Sequence, residues 1–161
     1  AYYEQHAATL KKRHTAEKSI NKWYKTIDRV NHTLTGTHKL YIPDIKNTHE
    51  PVLDRGETYP HHNLYFIHSD KWDLEVLGGL LMSKVGQFFI ESYGIRMRGG
   101  YLRFQAQYLR RIRVPLPATL SARQSDELRD AFRRRDKPCA TQVTLDVYGI
   151  DLPTLEAALE H

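Results

Sequence analysis

The sequence predicts an α+β domain in which a small mixed sheet packs on a long leucine-rich helix and a C-terminal helical segment follows. Three observations carry that expectation. Strand-like runs stand at 39–45, 52–56 and 63–68, the last rich in aromatic and β-branched residues. Between Asp73 and Tyr93, Leu74, Leu77, Leu81, Val85, Phe88 and Phe89 recur at helical spacing and mark one buried face. Beyond Pro117, Ser121 and Gln124 have the spacing of a capping box, with Leu128 and Phe132 one helical turn apart.

Taken in order, residues 1–20 are polar helix formers and read as a helix or a frayed linker. Trp23, Ile27 and Val30 suit one face of a short helix over 21–30, with Trp23 as a core anchor, and Thr33 to His38 reads as a turn around Gly36. In the strand 39–45, Pro43 cannot donate to a ladder, which places the strand at an edge or ends it there. Val52–Gly56 is a short strand entering a turn, and Asn63–His68 is a further strand. Ser69 or Asp70 caps the helix 73–93. Its internal Gly78-Gly79 calls for close approach by a neighbouring backbone, and Gly94 suits a C-terminal cap with positive φ. Ile95–Pro117 reads as extended segments and a short helical turn around a Gly99-Gly100 bend, with Ile112 and Val114 inward. A helix from Ser121 to about Asp136 and two more over 139–148 and 153–159 complete the chain. The expected divisions are an N-terminal helical or linker segment 1–38, a core 39–117, a helical segment 118–158 and a tail 159–161. The ends resemble those of a cut piece: Leu159-Glu160-His161 looks like the start of a histidine tag, so His161 is assigned no function.

With 161 residues and 40% apolar composition, the chain suits one folded domain with a modest core. No apolar run reaches the roughly 20 residues of a membrane helix. The single cysteine, Cys139, cannot form an internal disulfide, which fits a cytoplasmic location. The net charge of +5 is unevenly spread. From Gly94 to Pro117 there are six arginines (Arg96, Arg98, Arg103, Arg110, Arg111 and Arg113) and no Asp or Glu, a stretch that would attract a polyanion. Lys11, Lys12, Arg13, Lys18, Lys22, Lys25 and Lys39 make the N-terminal third basic too.

Catalytic motifs do not emerge. There is no glycine-rich phosphate cradle after a strand, no cysteine pair for zinc, no H-E-x-x-H and no nucleophile elbow. His61 and His62 with His68 and Asp70 offer metal-binding residue types, but adjacent histidines in a polar turn are ordinary surface residues. The chain by itself reads as a non-enzyme with no metal and no cofactor of its own.

The run from His62 to Pro117, with its strand, "LLMSK" helix, "RGGY" and "YLRRIRVP" in that order, resembles the TaqI-like C-terminal specificity domain of bacterial N6-adenine DNA methyltransferases from type II restriction-modification systems. "KWYKTIDRV", "KLYIPDIK" and "PVLDRG" resemble the segments before it. The resemblance implies a target-recognition domain that grips double-stranded DNA while the target base leaves the stack. It also implies that S-adenosylmethionine and an Asn-Pro-Pro-Tyr motif belong to an N-terminal catalytic domain of the same polypeptide, absent from these residues. Whether a nuclease is fused to that parent is open. On this reading Arg96, Arg98 and Arg103 approach DNA around Gly99, Gly100 and Tyr101. Gln105 and Gln107 read adenine edges, Arg110 and Arg111 face outward toward DNA, Lys39 and Lys46 meet phosphate, and which arginines contact bases and which contact phosphates stays open. For each the bland alternative is a solvated basic surface, and Tyr101, Phe104 and Tyr108 are read as packing. Arg133-Arg134-Arg135 reads as a helix end complementing the macrodipole. The alternative function is a protein-interaction module docking a methylase to a nuclease or other subunit.

Overall fold

Strand β1 (His38–Pro43) is the middle of an antiparallel sheet ordered β3-β1-β4, with β3 (Val52–Arg55) and β4 (Leu64–Ile67) on its flanks. Pro43 is tolerated in this central strand because it is the last residue. The computed structural model describes residues 2–25, 30–43, 45–46, 50–61, 63–96, 102–103 and 106–159, with the backbone alone at 20, 45–46, 95–96 and 102–103. The chain forms two compact units, Ala1–Thr33 and Leu34–His161. The first holds α1 (Tyr2–Gln5), α2 (Ala7–Leu10), α3 (His14–Glu17) and a 3-10 turn over Ile20–Lys22. In place of one helix over 1–20 there are three single turns. Of the expected helix over 21–30, Ile27 lies outside the described residues and Val30 is exposed. Trp23 is half-buried.

In the second unit, alternation along β1 divides its side chains. Leu40 and Ile42 face the helices, packing with Leu74, Leu77, Leu81 and Met82, while Lys39 and Tyr41 face the opposite way. The long helix of the sequence reading is two helices, α4 (Leu74–Met82) and α5 (Lys84–Tyr93). Ser83 breaks it. Its backbone is extended (φ −68°, ψ 165°), and its buried Oγ donates to the Leu80 carbonyl at 2.6 Å while accepting from the Gly86 N–H at 3.1 Å. One hydroxyl thus ends α4 and caps α5, and the Thr141 hydroxyl accepts from the Lys84 N–H across the break. The cap of α4 is Asp73, whose carboxylate accepts from the Glu75 and Val76 N–H groups; Ser69 instead caps the preceding turn at Lys71 and Trp72. Gly94 is extended (φ −75°), so α5 runs straight into a strand without the expected positive φ.

Helices α7 (Ala122–Arg134), α8 (Lys137–Tyr148) and α9 (Leu152–Leu159) build the second layer. The capping box at Ser121 and Gln124 is formed, and Gly149 ends α8 in the left-handed region (φ 65°). Helix α7 lies on α4 through Leu128 and Phe132, and the glycine pair is the reason it can. A Cβ on Gly79 would stand 2.5 Å from the Leu128 carbonyl oxygen, and one on Gly78 would overlap the Phe132 ring. The expected close backbone approach is therefore made by α7. The sheets, expected to be mixed, are antiparallel at every described pairing. Among the described residues no helix is long and apolar enough to cross a membrane.

Alanine for glycine in an open helix interior stabilises by about 1 kcal/mol. Gly79→Ala is expected to do the opposite, lowering stability by roughly 1–3 kcal/mol because α7 must be displaced. Urea denaturation of the two chains measures the difference.

Candidate nucleic-acid interface

The acid-free arginine stretch leaves α5 as β5 (Ile95–Arg96), returns as β6 (Leu102–Arg103), and continues into α6 (Ala106–Leu109). A second sheet, ordered β2-β6-β5, joins these strands to β2 (Ile45–Lys46). Its register pairs Arg103 with both Ile45 and Ile95, and Leu102 with both Lys46 and Arg96. Neighbouring strands lie about 4.8 Å apart, so the backbone brings Lys46 and Arg96 to the two sides of Leu102 from distant parts of the sequence, with Arg103 one register position on, between Ile45 and Ile95. Arg98, Gly99, Gly100, Tyr101, Phe104 and Gln105, with the expected glycine bend, lie outside the described residues.

The segment after β6 is fixed by apolar anchors. Leu109 and Ile112 pack against Ile90, Tyr65 and the main core. Tyr108 is half-buried against the end of α5, beside Phe89, Ile90 and Tyr93. The Tyr148 hydroxyl donates to the Arg113 carbonyl at 2.5 Å, tying the end of the segment to α8, and burial pushes that phenol's pKa up. Between the anchors Gln107, Arg110, Arg111 and Arg113 are exposed. The Arg111 guanidinium stands 5.8 Å from the centre of the Tyr93 ring. No carboxylate among the described residues lies within ion-pair distance of Arg110, Arg111 or Arg113. The expected strand-like alternation over 110–114 is absent: a turn follows α6, and Val114 is exposed where it was read as inward.

The other arginine cluster is engaged. Arg129 pairs with Asp73 at 3.0 Å and with Asp126, and Arg133 reaches Glu75 at 2.6 Å, with Arg55 on the other Glu75 oxygen at 3.3 Å. These pairs fasten α7 to the first turn of α4, where carboxylates already favour the helix N-terminus. Burial would raise the Asp73 carboxyl, but the Glu75 N–H, the Arg129 guanidinium and the Val76 N–H outweigh it and hold the pKa low. Arg135, in the left-handed conformation (φ 57°), donates to the Pro51 carbonyl at 2.7 Å. Arg133 and Arg134 do stand in the last turn of α7, as read, but Arg133 and Arg135 also bind across the fold.

Lys39 needs a correction. Read as a phosphate contact or a solvated lysine, it is wholly buried. Its ammonium donates to the carbonyls of Leu34 at 2.7 Å and Thr37 at 2.9 Å and pairs with Asp54, its register partner, at 2.5 Å. The Asp54 carboxylate also accepts from the Gly56, Glu57 and Thr58 N–H groups and the Thr58 hydroxyl. All three lysine donors are used, so nothing remains to meet a phosphate. Burial alone would raise the Asp54 pKa, but the hydrogen bonds from Lys39, Thr58 and Glu57, with the Lys39 charge, bring it below the ordinary value. Of the metal-type cluster, His62 lies outside the described residues, and the described residues gather no three His, Cys, Asp or Glu side chains that could hold an ion.

Comparison with known proteins finds a family and several relatives. The family model of the TaqI-like C-terminal specificity domain matches residues 2–115. The type II methyltransferase M.XhoI of Xanthomonas vasicola is 46% identical over 151 residues, which are 94% of this chain and 28% of that protein. The type II methyltransferase M.PaeR7I of Pseudomonas aeruginosa is 44% identical over 149 residues (92% and 26%), and M.BstVI of Geobacillus stearothermophilus is 40% identical over 155 (96% and 28%). The similarity to these methyltransferases therefore extends past residue 115 into α7–α9. The chain spans little more than a quarter of the length of the curated relatives it matches.

Lys39→Met is expected to cost about 3–5 kcal/mol at neutral pH, because it strands a buried carboxylate. The Asp54 contribution is complete above the unfolded carboxyl value of about 3.9 and is lost as pH falls through the lower folded value. Stability measured by denaturant from pH 7 down to pH 2 should show that acid-side loss in the native chain and a smaller one in Asp54→Asn.

Proposed function

The chain belongs to the TaqI-like C-terminal specificity-domain family, and on that premise we propose that it binds duplex DNA and reads the methylation site for an adenine-N6 type II methyltransferase. The observation that carries this reading is the segment 106–113. Its apolar residues are half-buried against the core, while the guanidinium groups of Arg110, Arg111 and Arg113 are exposed with no carboxylate among the described residues to neutralise them, and the strands of the second sheet carry Lys46, Arg96 and Arg103. Phosphates take such cations and release counterions, which supplies affinity without sequence information. Arg110, Arg111, Arg113 and Lys46 suit that role. Arg96, Arg98 and Arg103, with Gly99, Gly100 and Tyr101 at the bend, are proposed to approach bases, where an arginine forks onto guanine O6 and N7. Gln105 and Gln107 are proposed to read adenine N6 and N7. Lys39 is not part of this surface.

S-adenosylmethionine is assigned to the remainder of the polypeptide in a methyltransferase of this kind. Neither tight glycine site of this chain leaves room for an adenosyl or methionyl group: Gly78-Gly79 is filled by α7 and Gly56 by the Gly36 backbone. The chain's contribution to methylation is accordingly orientation, holding the duplex so that the target base can be extruded, a step costing a few kcal/mol. One observation favours a second reading, a docking surface for another subunit: Leu116 is 71% exposed and follows the exposed Val114.

Titrating the chain with a fluorescent duplex across a salt series tests the proposal. Binding should fall steeply with salt, and Arg110→Ala with Arg111→Ala should weaken it and lower the salt slope by about one for each phosphate left without its cation. A duplex that fails to bind at low salt sinks the reading. Loss of subunit binding in Leu116→Ser, with duplex binding unaltered, supports docking.

A further inference from the structure

The N-terminal unit has features that duplex recognition by residues 94–113 leaves unused. Ala1–Thr33 carries seven lysines and arginines against three acidic residues, so four of the chain's five net positive charges lie in about a fifth of its length. Ala16 is the only buried residue among those described in this unit, whereas Tyr2, Tyr3 and Tyr24 are 70%, 57% and 51% exposed. These rings and Trp23 line an open depression, with Glu4 the one acid in its described lining. Tyr2 meets Tyr3 and His6, and Trp23 meets Tyr24, edge to face at 6.0, 4.8 and 5.8 Å, and the tyrosines remain more than half exposed. The Lys11 ammonium sits 5.6 Å from the Trp23 ring centre. Arg13 holds the wall in place, donating to the carbonyls of Leu10 at 3.2 Å, Trp23 at 2.7 Å and Lys25 at 3.2 Å.

Exposed aromatic rings suit a protein partner or a nucleic acid with unstacked bases. The cores of protein interfaces are depleted in lysine, yet here Lys11, Lys22 and Lys25 are interleaved with the rings. A single strand uses both groups, rings for base faces and ammonium groups for phosphates. The geometry points to this depression as a second nucleic-acid site, which takes single-stranded nucleic acid by stacking on Tyr2, Tyr3, Trp23 and Tyr24. It stands independently of the duplex surface proposed above.

The test titrates the whole chain with an oligothymidylate of about twelve nucleotides while following the tryptophan emission of the native chain and of Trp23→Phe. The expected result is quenching in the native chain that is lost in Trp23→Phe. Strand affinity should fall roughly tenfold or more in Tyr3→Ala with Tyr24→Ala, with circular dichroism unchanged. Arg110→Ala with Arg111→Ala should keep the quenching while losing duplex affinity, so the two sites stand or fall separately. Native emission that does not change at the highest strand concentration in low salt overturns the inference, as does unchanged strand affinity in the double tyrosine variant. Self-association that depends on these tyrosines, without strand binding, also overturns it by assigning the depression to a protein contact.

Discussion

The contact between α4 and α7 is the constraint on which the second unit rests. Two adjacent glycines let the helices meet, at the Leu128 backbone and the Phe132 ring, and two ion pairs at the start of α4 fix how far α7 is rotated and slid along it. Exposed pairs of this kind contribute little singly, but Glu75 is only 13% exposed and holds Arg55 and Arg133 together. Everything else is referred to this pair of helices. Sheet β3-β1-β4 lies on α4, α8 packs on both helices, and Leu109 and Ile112 reach the core they share.

Arginine has two fates in this fold, separated by where the acids are. Along α7 the guanidinium groups meet carboxylates at the right register and become internal fasteners. Along 106–113 no acid among the described residues comes within ion-pair distance, and the charge faces outward. The buried Lys39 and Asp54 pair belongs with the fasteners. It joins neighbouring strands and takes up the carbonyls of the preceding turn, so a basic residue in a basic region ends with no outward charge. Composition counts these cations alike, and only their partners distinguish them.

The α+β class, the strands around Leu40, Leu53 and Phe66, the capping box at Ser121 and the family were legible in the sequence, because each rests on local pattern. The unread features are long-range. Ser83 looked like one more helix residue, and the Thr141 hydroxyl that supports the break lies far along the chain. Asp73 and Glu75, with Arg129 and Arg133 four residues apart, carry a complementary spacing, but nothing in either segment alone says that they meet. Lys39 and Asp54 become partners only through strand register. Gly94 was misread because a glycine after a helix is also free to extend.

The anchoring of segment 106–113 bears on how its surface can change over time. Leu109 and Ile112 hold the segment to the core, while Gln107, Arg110, Arg111 and Arg113 contribute nothing to that core. Inward and outward positions are thus separable in their effects. Exchanging the exposed Arg110 or Arg113 side chain alters the surface at little cost to folding, whereas exchanging an anchor disturbs the whole segment at once. A surface arranged this way can change its charge and its hydrogen-bonding groups by a few substitutions while the helical scaffold stays the same.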